Sequence, residues 1–367
     1  MNEPHPRKML GSVQLVAILV LAYAMIHVVT NETELADEGG IAVTDTSGEV
    51  FTFDAPPDRI VVSNTYAATA MRMLDADMES IVGVSGDFED SELWPELSAR
   101  PWVQFSAHSE IDYEALLDTR PDVYVVFATN GMVDTDAIRE RLTPLGIDVV
   151  AFDFYKYDAL REEFRQLAIM LDQMEAYDAL MGEFDAIEAT MNEALGDLRD
   201  EDRPTVIMEH HASLTRDPVV LTGTSQWDDI IRIAGGSNVF SDLPGHTTHV
   251  DMEAILDADP DVMMFDGITF ELGYGNNDPN SGCPEHFDLI EGRPGFDALQ
   301  AVNNGELHIF SGAFAGPMMI HGLPFIAEQF HPERFEEGSG EASLDAFFED
   351  HFDLQRTGTF LCTVGGE

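Results

Sequence analysis

The sequence predicts an α/β protein of two Rossmann-like lobes with mostly parallel sheets, joined by a long helix. Three observations carry this. Short apolar runs alternate with helical segments from Arg59 to Phe330, the pattern of parallel sheets covered on both faces. A helix–turn–strand unit occurs twice, far apart in the chain. Between the two copies runs a long stretch with helical periodicity.

Arg7 and Lys8 precede an apolar run from Val13 to Val29 that Gln14 interrupts. Positive charge before an apolar run places the N-terminus inside and the rest outside. The run reads as a retained anchor. The alternative is a cleaved signal with its site at Ala22-Tyr23-Ala24. No Cys lies near it, which excludes a lipid-modified cysteine. Thr30 to Gly40 is a polar, acidic linker, so residues 1–40 form the anchor or signal and linker.

Residues 41–156 form the first lobe. RIVVSN, SIVGVS, PDVYVVF and DVVAFDF are buried strands, and Ala67 to Leu74 is helical. The helical segment occupies 157–200. Leu160, Phe164, Leu167, Leu171, Tyr177, Met181, Phe184, Ile187, Met191 and Leu195 keep a spacing of three to four. A weak point at Asp172-Gln173 divides it, and the second helix, Met174 to Leu198, spans roughly 36 Å. Residues 201–367 form the second lobe and a tail. TVIMEH, VVLTG, DVMMFD and ELHIFSG are strand-like, and Trp227 to Ala234 and Pro317 to Phe330 are helical.

The repeat aligns Asp112 to Phe127 with Asp251 to Asp266 without gaps. Asp112, Glu114, Ala115, Leu117, Asp118, Pro121, Asp122 and Val123 recur as Asp251, Glu253, Ala254, Leu256, Asp257, Pro260, Asp261 and Val262. In each copy an Asp caps a short helix, Pro stops it and a buried strand follows. Two copies imply two lobes of one architecture. Cys283 and Cys362 are the sole cysteines. They either pair, stapling the tail to the second lobe, or stay as two thiols.

Composition bounds the partners. Asp and Glu number 69 against 18 Lys and Arg, a formal net charge of −51, and Lys8 and Lys156 are the only lysines. The acids are interspersed with apolar positions, which describes a solvated surface, not an acidic tail. At about 1 M salt the Debye length is only about 3 Å, so the composition reads as a halophilic, archaeal protein. Nucleic acid is excluded as a partner, because phosphate binding needs basic patches.

GEVFTFDAPPDRIVVSN, SIVGVS, PDVYVVF, IIRIAGGSNVF, PDVMMFD, AVNNGELHIFSG and FIAEQFHPERF follow one another within the stretch Ile41 to Phe335. As an ordered set they resemble the Fe³⁺-siderophore and cobalamin periplasmic-binding-protein family. The resemblance implies a monomeric, extracytoplasmic substrate-binding protein of an ABC importer, anchored at or secreted from the extracellular face of the membrane. It would capture a metal chelate between its lobes and deliver it to a permease driven by an ATPase. No cofactor is implied beyond the transported chelate. In this family an acid on each lobe docks on permease arginines. Asp229 stands at that place in the second lobe, whereas Thr69 occupies it in the first.

Open α/β sheets bind ligands at the carboxyl ends of their strands. That directs attention to Asn64, Tyr66, Ser85, Asp87, Thr129, Asn130 and Tyr155 in the first lobe. In the second it points to Glu209, His210, His211, Asp266, Thr269, Phe314 and Met318. Imidazole and carboxylate ligate metals, and aromatic faces suit a flat chelate. For Asn64 and Tyr66, capping and packing are an equal alternative, and for the histidines a hydrogen-bonded strand end is another. Arg72 and Arg216 are the best-placed cations. Nine of twelve His lie at or beyond His210, and the first lobe offers only His108, so a bare metal bridging both lobes is disfavoured.

Other classes remain open at this stage. They are an oxyanion binder for molybdate or tungstate, an anchored extracellular sensor, and a metal-dependent enzyme around Glu209-His210-His211. Against an enzyme, the chain has no G-x-S-x-G elbow, no H-E-x-x-H helix and no G-x-G-x-x-G fingerprint. It also lacks the phosphate-binding loop of an ATPase.

The charge leads to a direct test. Dialysis from molar to millimolar NaCl should unfold the protein cooperatively, because unscreened like charges then repel across the whole surface. Near-UV circular dichroism retained in full at low salt would refute this.

Overall fold

The computed structural model describes residues 40–128, 133–210, 218–267, 270, 272–276 and 282–364. The expected anchor Val13 to Val29 and the site positions Thr129, Asn130, His211, Arg216 and Thr269 lie outside the described residues.

The first lobe opens with an antiparallel hairpin, β1 (Ile41–Thr44) and β2 (Val50–Phe53). Five parallel strands follow: β3 (Ile60–Val62), β4 (Ile81–Ser85), β5 (Trp102–Gln104), β6 (Val123–Val126) and β7 (Asp148–Ala151). Their order in the sheet is β5-β4-β3-β6-β7. Both faces of β3 and β6 are buried, as uninterrupted Ile and Val require of a covered parallel sheet. Helices α1 (Thr65–Met73), α2 (Tyr113–Thr119) and α3 (Thr135–Leu142) supply the cover.

In the second lobe β8 (Thr205–Glu209), β9 (Val219–Leu221), β10 (Ser237–Asn238), β11 (Thr247–His249) and β12 (Val262–Asp266) come first. Helices α6 (Gln226–Ile233) and α7 (Met252–Ala258) lie among them in sequence; α4 and α5 precede this lobe and are described below. Then come β13 (Gly273–Tyr274), α8 (Cys283–Glu291), α9 (Gln300–Asn304), β14 (Leu307–Phe310), α10 (Met319–Phe330), α11 (Ser339–Phe352), β15 (Gly358–Thr359) and β16 (Leu361–Thr363). The main sheet runs β11-β9-β8-β12-β14-β16, with β10 also on β8. Its centre is parallel; β9 and β16 run against it, and β11, antiparallel to β9, again runs with the centre. The sequence reading did not anticipate α11 or the edge strand β16. Cys283 and Cys362 are joined, 79 residues apart, so the tail carrying β16 is stapled to α8.

The repeat is the same structural unit twice. Helices α2 and α7 both end on a left-handed residue before the Pro, Arg120 at φ 48° and Asp259 at φ 41°. The matched acids Asp122 and Asp261 then do one job. Asp122 accepts from the Arg59 backbone N–H at 3.1 Å and its own N–H donates to Arg59 O at 2.8 Å. Asp261 accepts from Thr205 N–H at 2.8 Å and donates to Thr205 O at 2.9 Å. Each acid therefore pins the start of the neighbouring central strand and sets its register. The expected caps differ: Asp112 accepts from Ala115 N–H at 3.0 Å, whereas Asp251 makes no side-chain cap bond.

The connecting segment is two helices, α4 (Tyr157–Leu171) and α5 (Met174–Leu195). The break falls at Asp172, left-handed at φ 57°, a conformation Asp tolerates because its short side chain can bond locally. At 22 residues α5 spans roughly 33 Å, three residues short of the expected end. Helix α4 packs on β1, and α5 packs on α4 and α10. Phe164 of α4 meets Phe184 of α5 edge-on, with ring centroids 5.7 Å apart.

Where the chain leaves the first lobe, a buried carboxylate on α4 gathers the backbone. Glu163 accepts from the N–H groups of Asp153 at 3.2 Å and Phe154 at 2.8 Å, and from the Thr46 hydroxyl. It thereby holds Phe154 at φ 52°, a strained value for a bulky residue. Burial pushes the Glu163 carboxyl up to about 7, although its hydrogen bonds oppose the shift. Above the unfolded value near 4.5, the folded chain keeps a proton that the unfolded chain has released. This group's contribution is therefore fully present below that value and is lost as pH rises to about 7. The stability difference between the wild type and Glu163→Gln should change by roughly 2–3 kcal/mol between pH 4.5 and 7.5. Denaturant titrations at fixed molar salt measure it, and parallel pH profiles for the two proteins would refute it.

Candidate functional site

The carboxyl ends of β3 and β4 and the N-terminus of α1 face the second lobe across a cavity of about 220 Å³. Thr65, Tyr66, Thr69, Asp87, Asp90, Leu93 and Trp94 line it from the first lobe. Tyr274, Ala313, Pro317, Met318 and the rings of Phe347, Phe348, Phe352 and Phe360 line it from the second. Both lobes thus contribute to one site.

Tyr66 is its centre. The ring meets Phe127 edge-on at 5.8 Å. It lies so close to Gly316 of the other lobe that a Cβ there would sit 2.6 Å from Tyr66 Cε1. A side chain at position 316 would therefore collide with the Tyr66 ring, and one of the two would have to shift. Burial, and then the nearby negative charge of Asp266, raise the Tyr66 hydroxyl well above its ordinary value. The phenol stays protonated and can donate to a ligand.

Asp87 is positioned from behind. Its carboxylate accepts from Ser85 Oγ at 2.9 Å and from Ala107 N–H at 2.8 Å. Ser85 is buried and caps the short turn that follows β4. Nearby, burial lowers the His108 imidazole and the Asp87 charge partly offsets this. Asp87 and Asp90 are the only charged residues among the described lining, and no Lys, Arg or His is among them.

One side of the cavity is an aromatic clamp. Trp94 meets Phe88 at 5.2 Å and Phe352 at 5.5 Å. The Arg72 guanidinium lies 5.5 Å from the Trp94 ring and 5.0 Å from Phe352, and it pairs with Glu96 at 2.7 Å. Tyr274 stacks on Phe348 at 5.3 Å. Arg72 is therefore committed to holding α11 against the first lobe, not free to meet an anion.

The sequence-predicted residues divide. Tyr66, Asp87 and Met318 line the cavity, and Ser85 supports it. Asn64 is the α1 cap, its Oδ1 accepting from Ala67 N–H at 2.9 Å. Asp266 closes β12, buried and within electrostatic reach of Tyr66. Tyr155 is buried, its ring 5.6 Å from the Lys156 ammonium, which donates across the lobes to Thr224 O. The His210 backbone pairs with Val219 O at 2.7 Å.

Two expectations need correction. Glu209 is fully buried in a bidentate pair with Arg293 at 2.7 and 2.8 Å, so its carboxylate serves the interior of the second lobe. Breaking that pair would strand a buried charge. Phe314 is also fully buried, between Phe310, Phe325 and Phe360 and over Gly322, so it belongs to the core. Asp229 is partly exposed on α6 and pairs with Arg232 at 2.8 Å. Thr69, at the first lobe's docking position, lines the cavity instead. Sequence reasoning missed Trp94, Asp90, Tyr274 and the phenylalanines of α11. The usable signal was the aromatic density of AFFEDHF, which follows no strand.

Two α/β lobes joined by a helical pair, with one site walled by both, define a solute-binding fold. The profile of the family described as periplasmic binding protein matches residues 57–310, and the chain belongs to that family. A cobalamin-binding protein of Halobacterium salinarum is 28% identical over 223 residues; the match covers 60% of this chain and 57% of that protein, little more than half its length. Among solved structures, the TroA-like periplasmic binding protein FepB of Veillonella parvula superposes with a TM-score of 0.70 at 18% identity, covering 88% of this chain and 99% of that one. The molybdate-bound MolA of Haemophilus influenzae gives 0.68 at 18% identity, covering 86% and 99%.

The clamp makes a measurable claim. Phe352→Ala removes contacts with both Trp94 and Arg72 and should cost about 3–5 kcal/mol of stability. It should also shift the emission of Trp94, one of three tryptophans. Denaturant unfolding and fluorescence check this, and an unchanged spectrum would contradict the clamp.

Proposed function

We propose that this chain is the extracytoplasmic substrate-binding subunit of an ABC importer, and that its cleft captures a metal chelate, a corrinoid first and a neutral or cationic ferric siderophore second. The observation that carries this reading is a cavity between the lobes, walled by aromatic rings, with Asp87 and Asp90 as its only charges among the described residues. Aromatic faces suit the flat apolar surface of a chelate, and two carboxylates repel an anion. Membership of the binding-protein family and the cobalamin-binding relative support the same reading. An oxyanion would need positive charge, which the described lining lacks.

The cavity of about 220 Å³ is smaller than the roughly 300–1,000 Å³ usual for small-ligand sites. Capture of a chelate therefore requires the lobes to part. The contacts of Tyr66 with Gly316 and of Trp94 with Phe352 would separate, with α4 and α5 as the pivot. Delivery would follow by docking on a permease, with Asp229 on the docking face. The segment Val13 to Val29 would keep the protein at the membrane, facing a saline exterior. No chemical step on the ligand is expected.

Calorimetry on the intact chain in molar salt, with cyanocobalamin, a ferric hydroxamate, haemin and molybdate, tests the proposal. A corrinoid or hydroxamate should bind best. Trp94→Ala and Tyr66→Ala should each weaken that binding at least tenfold, a loss of about 1.4 kcal/mol or more. Asp229→Ala should leave affinity unchanged and lower uptake by cells. Preference for molybdate, or turnover of any ligand, would overturn the reading.

A further inference from the structure

Behind the aromatic wall of the cleft, outside the cavity, three metal-ligating side chains converge. Glu183 comes from α5, His321 from α10 and His351 from α11, and one ligand atom of each lies within 4.8 Å of the other two. These elements are far apart in sequence, so the tertiary fold assembles the cluster. The side chains of His321 and His351 are 1% and 9% exposed. Phe347, whose ring also lines the cleft, lies 5.1 Å from the His321 ring and 5.6 Å from that of His351.

A purely hydrogen-bonded cluster accounts for only part of this. His321 Nε2 bonds Glu183 Oε1 at 2.5 Å. His351 Nε2 points at Glu183 Oε2 from 3.4 Å, yet it is buried and makes no hydrogen bond. Native interiors rarely leave such a nitrogen unmet. Tetrahedral ligands 2.0–2.1 Å from a zinc ion stand about 3.3 Å from one another. His351 and Glu183 already hold that spacing, and a small rotation of the Glu183 carboxylate would bring His321 to it.

We propose that Glu183, His321 and His351 bind a divalent transition ion of the Zn²⁺ class, with water as the fourth ligand. Two imidazoles and one carboxylate suit such an ion, whereas Ca²⁺ and Mg²⁺ demand a shell of oxygens. The ion would clip α11, which carries Phe347, Phe348 and Phe352 of the cleft wall, to the interlobe helix α5. The site is separate from the cleft and independent of which chelate the cleft takes.

The test uses the full chain in molar NaCl, stripped with a chelator and then titrated with Zn²⁺ or Co²⁺ under excess Mg²⁺, which occupies surface carboxylates. One ion should bind per chain, Co²⁺ should show the intense visible bands of four-coordinate geometry, and Zn²⁺ should raise the thermal midpoint. Glu183→Gln and His351→Ala should each lower Zn²⁺ affinity at least tenfold and abolish the thermal shift. Affinity equal in wild type and both variants, or no stoichiometric uptake by the wild type, would overturn the site. Should a variant fail to fold, the wild-type Co²⁺ spectrum decides, since weak six-coordinate bands mean carboxylates alone.

Discussion

The packing of α4 against α5, centred on Phe164 and Phe184, is the constraint on which the rest of the molecule depends. Helix α4 is fastened to the first lobe through β1 and the buried Glu163, and α5 to the second through α10. Their contact therefore decides where the carboxyl ends of one sheet lie relative to the other. The meeting of Tyr66 with Gly316, the seating of α11 over Trp94 and the convergence of Glu183 with His321 and His351 all follow from it. A helical pair buried by aromatic rings bends little, because interiors are close-packed. The proposed opening of the cleft would then be a small pivot, not a free swing.

Charge is distributed to the same end. The chain has 18 basic residues to set against 69 acids, and several of the basic ones are spent inside. Arg139 pairs with the buried Asp45, Arg293 with Glu209, and Arg72 with Glu96 between two rings. Each holds one element against another, and none is left to line the cavity. The described lining of the cleft thus carries no cation, in keeping with how an acidic protein uses its few arginines. Two carboxylates without a cation disfavour an anionic ligand there before any specific contact is considered.

Much of the architecture could be read in advance, for identifiable reasons. The matched acids of the repeat are conspicuous because Asp122 and Asp261 each bind the backbone at the start of a central strand, a role that local sequence chemistry marks. The division of the connecting segment was visible because Asp172 interrupts an otherwise regular apolar spacing. Strand-end reasoning found Tyr66 and Asp87 for the same reason: position in a parallel sheet dictates which end faces the cleft. That rule cannot tell a cap from a ligand, so Asn64 was ambiguous, and it cannot see an arginine 84 residues away that claims Glu209.

By itself, the sequence determined the two-lobed α/β plan, the parallel sheet centres, the helical bridge and the acidic composition. These depend on periodicity, turn chemistry and composition, all of which are local or additive. Only the tertiary structure decided that Phe314 is core while Phe347, Phe348 and Phe352 form the cleft wall. It also decided that Cys283 meets Cys362, and that three ligands on three separate helices face one point. Which ring or carboxylate meets which is set by how the helices pack across the lobes, and no local pattern records that packing.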